Sequence, residues 1–301
     1  MYKTKEKPED FIVEEMIDLD NSSGPYLYIK LTKKQWNTLD IISILQKKLH
    51  IQRSQIGYAG LKDKQGITTQ YFSLFRITKK QIEGLKIKDV VIKPLYNGSK
   101  AITLGSLKAN KFQIKLNEAP IKIDFIENYF GEQRFSKNNI QIGKCLITNN
   151  FKTAYKLITN QESNQPINEL RKLDFHLLSL YLSAYQSYLW NKVTETYLET
   201  KYSTIEPKNI QIPLISFDAK FKNKKIEVIY KNILKEENIT KQNFIIKQFP
   251  ELINISKVRD LIVKILDFTI EDNKISFTLP KGSYATIVIE KMNYLKNFLN
   301  K

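Results

Sequence analysis

A single carboxylate stands between two lysines in a loop rich in glycine. Residues 57–66, GYAGLKDKQG, place Asp63 between the ammonium groups of Lys62 and Lys64. Flanking cations favour the charged form of a carboxyl group, and glycine permits close approach of a ligand to the backbone. An ionised aspartate on a loop between strands can act as a nucleophile or as a general base. A solvated basic turn has the same spacing, and spacing alone favours that simpler interpretation.

A second stretch combines groups that suit recognition of a nucleobase. Residues 105–112, GSLKANKF, supply two lysines, the Asn110 amide and the Phe112 ring at the start of a strand. Aromatic rings stack on bases, and an amide can read a base edge. Phe112 also has the same strand parity as Ile114 and Leu116. An ordinary inward-facing core position is therefore an equally good interpretation of Phe112.

Histidine and cysteine are too scarce for most other catalytic sites. The 301 residues contain one cysteine, Cys145, and two histidines, His50 and His176. One cysteine excludes an intramolecular disulfide, and with two distant histidines it leaves no plausible zinc cluster. His50 closes a helical pattern and His176 stands near a helix start, so neither is expected to be a base. Carboxylate chemistry is the main catalytic option that remains.

The chain is strongly basic. It has 48 lysines and arginines against 31 acids, a formal charge of +17 and a pI near 9.5, which is typical of a nucleic-acid binder. Only five of the 48 are arginine, a bias that an AT-rich genome also produces on solvated surfaces. The charge thus favours a polyanionic partner only modestly.

The pattern of apolar residues changes twice along the chain. Both ends predict strands, and the middle, from about residue 120 to about residue 250, predicts helices. Ordinary globular composition and the absence of an apolar run long enough for a membrane helix predict a protein without a membrane span. We therefore expect an α+β domain interrupted by a mainly helical insertion. The predicted strands are 26–31, 56–59, 68–75, 89–95, 101–104, 111–116, 261–270 and 275–279, and the clearest helices are 38–49, 174–199 and 283–293.

Six blocks in one order resemble the tRNA pseudouridine synthase D (TruD) family. Singly they are weak, but together they extend across nearly the whole chain. The blocks are PEDFIV at 8–13 with Glu15, AGLKDK at 59–64 with Thr68 and Gln70, 104–112, NYFGEQRF at 128–135, LSA at 182–184 and LPKGSYAT at 279–286.

The resemblance implies a pseudouridine synthase-like catalytic domain with a mixed, largely antiparallel sheet, formed by residues 1–124 and 256–301. Residues 125–255 would form the inserted TRUD domain. The implied activity is that of an isomerase, an intramolecular transferase that converts uridine to pseudouridine in tRNA or another structured RNA. Uridine-13 of the D arm is the expected target, and no cofactor or metal is implied.

The resemblance also implies roles for individual residues. Asp63 matches the catalytic aspartate, as nucleophile or base. The base-stacking aromatic falls on Phe112 with Asn110 beside it, Lys5 is a basic residue expected near Asp63, and Phe11 and Glu15 support the site. Two positions depart from the family pattern, since Ser136 and Gly66 stand where glycine and alanine are common; we expect Gly66 to loosen the catalytic loop.

Two other functions remain open from the sequence. One is a non-catalytic RNA-binding or RNA-folding protein on the same scaffold, and the other is an unrelated small-molecule enzyme. The amino terminus has no signal-peptide pattern, so we expect a cytoplasmic protein. No obligate protein partner is evident.

Overall fold

The structure is a computed structural model that describes residues 1–4, 6–135, 138–199 and 210–299. The predicted site residue Lys5 and the departure at Ser136 lie outside these described residues. The chain forms two compact units, one of residues 1–126 and 263–301 and the other of residues 127–262. Within the described ranges, no helix combines the length and apolar character needed to cross a membrane.

The elements follow one another in chain order. The chain begins with β1 (Phe11–Met16), β2 (Tyr26–Lys34), α1 (Thr38–Leu49), β3 (Ile56–Tyr58), β4 (Ile67–Phe75), α2 (Lys79–Glu83), β5 (Val90–Gly98) and β6 (Ala109–Lys115). It continues with β7 (Phe125–Glu127), α3 (Asn139–Ile147), α4 (Phe151–Thr159), α5 (Pro166–Arg171), α6 (Phe175–Glu199), β8 (Gln211–Pro213), α7 (Lys224–Glu236), β9 (Val258–Asp260) and β10 (Ile262–Lys264). It closes with β11 (Leu266–Glu271), β12 (Lys274–Pro280) and α8 (Ala285–Leu299).

The first unit is built on an eight-stranded sheet. Its strand order is β11-β12-β6-β1-β4-β2-β5, with β3 paired to β4. Strands β1 and β4 run parallel, whereas β1 pairs antiparallel with β6 and β2 pairs antiparallel with both β4 and β5. This confirms the predicted α+β class and the mixed, largely antiparallel sheet.

Helix α1 covers one face of this sheet. Its apolar residues Ile41, Ile42, Leu45 and Leu49 recur at helical spacing and are buried, because they pack on the inward residues of β2 and β4. The helix ends at His50, whose φ of 53° is left-handed and whose N–H donates to the Gln46 carbonyl. His50 thus terminates the helix, as predicted.

The second unit is mainly helical. The 25-residue helix α6 buries Leu182, Tyr185, Leu189, Trp190 and Val193 along its length. The Trp190 indole N–H donates to the Ile212 carbonyl at 3.1 Å, so the one polar atom of this buried ring is satisfied.

Several predicted elements differ from the structure; for example, the predicted strand 26–31 continues to Lys34 and the predicted strand 89–95 continues to Gly98. Residues 101–104 form no strand, because only Ile102 is buried there and its N–H donates to the Ser73 hydroxyl at 2.8 Å. The predicted strand 261–270 is interrupted at Ile265, whose N–H donates to the Asp124 carbonyl while β11 turns to pair with β12. The closing helix extends to Leu299 rather than 293.

Candidate functional site

The Asp63 loop is held by main-chain contacts at several points. It leaves β3 after Tyr58 and enters β4 at Ile67, with no helix or strand between. The Ala59 carbonyl accepts from the Gly105 N–H at 2.7 Å. The loop is therefore tied to the 105–112 stretch, the second segment that the sequence singled out.

Two buried side chains on rigid elements hold the centre of the loop. The Lys62 N–H donates to the Thr38 hydroxyl at 3.0 Å, and this hydroxyl donates to the Gln70 side-chain oxygen at 2.9 Å. The Gln70 amide nitrogen donates to the Gly60 carbonyl at 3.3 Å. Thr38 opens α1 and Gln70 lies within β4, so the loop is anchored to both elements.

Asp63 itself is exposed. Its backbone carbonyl accepts a hydrogen bond from the Lys33 ammonium at 2.9 Å. Asp63 is thus an exposed residue that is anchored through its main chain. A residue placed in this way can be reached from solvent while its backbone is fixed.

A buried ion pair lies next to Asp63. The Lys62 ammonium is 3.0 Å from Glu15 Oε1, and the two side chains are 7% and 0% exposed. Lys62 also donates to Asn110 Oδ1 at 2.9 Å, and Glu15 Oε2 accepts from the Tyr71 N–H at 3.0 Å. Because Glu15 and Asn110 are paired across β1 and β6, the sheet register brings both to the same ammonium.

This arrangement fixes the orientation of the Asn110 amide. Its oxygen is engaged by Lys62, so the two Nδ2 hydrogens are the groups directed toward another acceptor. A carbonyl oxygen of a base is an acceptor of the right kind. Glu15, in contrast, is 1% exposed, and its contacts are to the protein itself.

Phe11 and Phe112 lie in one row of buried rings. Phe112 is 7% exposed and Phe11 4%, and their centroids are 6.2 Å apart in an edge-on arrangement. Phe277 stacks on Phe112 at 5.3 Å and pairs with it across β6 and β12. Phe112 therefore has the inward parity that the sequence allowed, and Phe277 covers one face of its ring.

Gly66 does not loosen the loop, contrary to the expectation from its sequence. Its φ of +133° lies where residues with a side chain rarely occur. A Cβ at this position would be 2.5 Å from the Phe11 carbonyl oxygen. Glycine is required here because the loop turns back closely against the beginning of β1.

Lys33 is a site residue that the sequence did not suggest. It is 1% exposed, at the end of β2. Burial lowers the pKa of its ammonium to about 8; the charge of Asp63 opposes this effect and the charge of Lys62 adds to it. The sequence holds one signal for it, because Lys33 has the strand parity of Leu27, Ile29 and Leu31. The predicted strand ends at residue 31 and so does not include Lys33.

In the part of the chain that the structure describes, no three or more His, Cys, Asp or Glu side chains converge in a way that could hold a metal ion. Cys145 is buried in α3, and burial raises the pKa of its thiol.

Comparison with known proteins gives a consistent result. A family model described as tRNA pseudouridine synthase D (TruD) matches residues 2–169 and 193–292. A Methanococcus vannielii protein named probable tRNA pseudouridine synthase D is 30% identical, over 94% of this chain and 93% of its own. An Aquifex aeolicus tRNA pseudouridine synthase D is 28% identical, over 96% of this chain and 97% of its own. The fold is similar to that of a Methanosarcina mazei crystal structure described as TruD, with a TM-score of 0.68 and 22% identity, over 96% of this chain and 92% of that one.

Proposed function

Because this chain belongs to the tRNA pseudouridine synthase D family, we propose that it isomerises uridine to pseudouridine in tRNA, with Asp63 as the catalytic residue. The enzyme class is that of an isomerase. The proposed target is uridine-13 of the D arm. The observation that supports Asp63 is its position as an exposed residue in a loop that is anchored through its main chain.

The proposed reaction is balanced without a cofactor. The bond between C1′ and N1 breaks, the base turns, and C1′ bonds to C5. The proton leaves C5, and N1 gains one. No electrons are transferred to an outside acceptor, so the reaction needs no redox cofactor. One carboxylate acting as a nucleophile or base can carry out this type of chemistry.

The target uridine has to leave its stack to meet Asp63, at a cost of a few kcal/mol. We assign the Asn110 Nδ2 group to a carbonyl oxygen of the flipped uracil, because Lys62 occupies the amide oxygen. Phe112 would stack on the base, with Phe11, Glu15 and Lys5 supporting the site. Phosphate contacts by lysines of this +17 chain would offset part of the cost.

We also propose a discontinuous catalytic domain, an inserted domain and a cytoplasmic location. The catalytic domain would comprise residues 1–124 and 256–301, and residues 125–255 would be the inserted domain. In the structure the chain divides at 126/127 and 262/263. The proposed compartment is the cytoplasm, where tRNA is the partner.

The target position can be tested with purified protein and two tRNA transcripts. One carries uridine at position 13, and the matched control carries cytidine there with its pairing partner changed to keep the fold. We expect pseudouridine only in the first, at position 13, mapped by mass spectrometry of nuclease fragments. Equal pseudouridine formation at another position in both transcripts would contradict uridine-13 while leaving the activity intact.

Replacing Phe112 by leucine separates stacking from packing. Leucine keeps an apolar side chain but removes the aromatic face. We expect kcat to fall about tenfold, the scale of a base-stacking contact of ~1–3 kcal/mol. The Kd for tRNA should change little, because phosphate contacts dominate affinity. Single-turnover rates and filter binding measure the two effects.

The control for Phe112→Leu is Phe277→Leu in the adjacent strand. Phe277 is 0% exposed and stacks on Phe112, so its truncation should cost stability, about 1–3 kcal/mol, without a comparable loss of kcat. Equal losses of kcat in both variants would show that Phe112 acts through core packing rather than by stacking on the base.

A further inference from the structure

We propose that Lys33 is a positioning residue that sets the direction of the Asp63 side chain through the backbone of the catalytic loop. This inference rests on the proposed role of Asp63. It assigns to Lys33 no contact with the substrate. Lys33 would act by holding the residue that reacts.

The Lys33 ammonium is surrounded by three backbone carbonyl oxygens. It lies 2.6 Å from the Trp36 oxygen, 2.9 Å from the Asp63 oxygen and 3.4 Å from the Lys62 oxygen. An ammonium group has three hydrogens to donate and accepts none. The three donors and the three carbonyls therefore match in number.

Two of these carbonyls belong to the peptide groups on either side of the Asp63 Cα. The Lys62 oxygen lies in the peptide plane before it, and the Asp63 oxygen lies in the plane after it. Each peptide group is planar, so the two planes together define φ and ψ of Asp63. Fixing those angles fixes the direction of the Cα–Cβ bond, from which the carboxylate projects.

The third carbonyl ties this arrangement to a rigid element. Trp36 lies between β2 and α1, and its indole N–H donates to the Lys88 carbonyl at 2.9 Å. Lys33 itself is paired with Thr68 in the sheet. The ammonium thus connects the loop to the sheet and to the start of α1, independently of the contact between Lys62 and Thr38.

Protonation of Lys33 is what makes the contact complete. A neutral amine has two hydrogens and one lone pair, so at least one of the three carbonyls would lose its donor. The charged groups that act on Lys33 are Asp63 and Lys62. Since burial lowers the pKa of Lys33 to about 8, the loop should become less ordered as the pH rises above that value.

Deprotonation of Lys33 should loosen the loop as the pH rises, but it should not lower the free energy of unfolding. This difference separates a loss of loop order from a loss of folding. An unfolded lysine has a pKa of about 10.4, so between pH 8 and that value the unfolded chain binds more protons at Lys33 than the folded chain. The contribution of Lys33 to the free energy of unfolding therefore rises with pH in this window. A loss of activity there through Lys33 is not a loss of folding.

The test compares Lys33→Met with Lys30→Met in tRNA modification across pH 6.5 to 9.5. Lys30 lies on the same strand but on the opposite face, paired with Glu14 at 2.6 Å. For wild type we expect kcat at saturating tRNA to fall about tenfold between pH 7.5 and 9, with a midpoint about 8. Lys33→Met should lose kcat at least tenfold at pH 7, keep its KM within about threefold and lack this midpoint.

If Lys33→Met does not fold, a second measurement on the wild type alone still tests the role of Lys33. Amide hydrogen exchange of the 60–66 segment, corrected for its intrinsic pH dependence, should increase above pH 8 while the Tm is maintained. A flat wild-type kcat from pH 7 to 9, or full kcat in folded Lys33→Met, would overturn the role of Lys33. Uridine itself titrates at alkaline pH, so a fall in wild-type kcat supports the role of Lys33 only where folded Lys33→Met lacks it; the exchange measurement contains no uridine and stands by itself.

The outcome also distinguishes this inference from the proposed function. An active Lys33→Met together with an inactive Asp63→Asn would refute only the positioning role. A wild-type protein that forms no pseudouridine in any tRNA would refute both.

Discussion

Asp63→Asn should abolish pseudouridine formation while tRNA affinity stays within about twofold of wild type. An amide is neither a useful nucleophile nor a base at neutral pH, so the loss should reach at least the ~10²–10⁴-fold that a positioned acid or base supplies. The Lys33 ammonium donates to the backbone oxygen of this residue, which asparagine keeps. Tritium release from tRNA labelled at C5 of uridine measures the reaction, since the C5 proton must leave.

The matched control for Asp63→Asn is Asp89→Asn. Asp89 is also exposed, in a turn of the same unit with φ at 58°, a region that asparagine tolerates well. Its activity should equal that of wild type. Turnover by Asp63→Asn at more than about a tenth of the wild-type rate would remove Asp63 from the proposed mechanism.

The same comparison addresses the alternative function. A non-catalytic RNA-binding protein would bind tRNA and form no pseudouridine even as wild type. In that case Asp63→Asn would be indistinguishable from wild type in every assay. Activity of the wild type that disappears with Asp63 is the result expected of the enzyme.

Elements with strong local periodicity could be predicted from the sequence. In β6 the alternation of Phe112 and Ile114 with lysines is reproduced, with 7% and 1% exposure for the two apolar residues. The prediction of a strand at residues 101–104 was wrong because a short apolar run resembles a strand whether or not a neighbouring strand exists. Pairing is a property of the sheet, and the sequence window contains no information on it.

The loop around Asp63 could be identified from its residues, but its supports could not. Lys33 has the inward parity of Ile29 and Leu31 only if the strand continues past residue 31, and the structure shows that β2 extends to Lys34. Glu15 and Lys62 are distant in sequence and meet because β1 joins β4 and β6. The family resemblance named Glu15 as a supporting residue, but a local pattern does not name a partner from another part of the chain.

Replacing Lys62 by methionine should strongly destabilise the protein, because Lys62 and Glu15 form a buried ion pair. Removing Lys62 leaves the Glu15 carboxylate 0% exposed without its cation, and breaking a buried pair in this way costs about 3–5 kcal/mol. The double variant Lys62→Met with Glu15→Gln removes both charges and should recover part of this loss. Urea unfolding of wild type, Lys62→Met, Glu15→Gln and the double variant gives the coupling between the two residues.

Lys30→Met is the control, because Lys30 pairs with the adjacent Glu14 on the other face, with side chains 35% and 44% exposed. It should cost no more than about 1 kcal/mol. The recovered double variant should fold yet modify tRNA slowly, since Asn110 has lost the ammonium that orients its amide. If the free energy of unfolding falls no more in Lys62→Met than in Lys30→Met, the Glu15 carboxylate takes up a proton or reaches water when Lys62 is absent. The pair would then orient Asn110 rather than stabilise the fold.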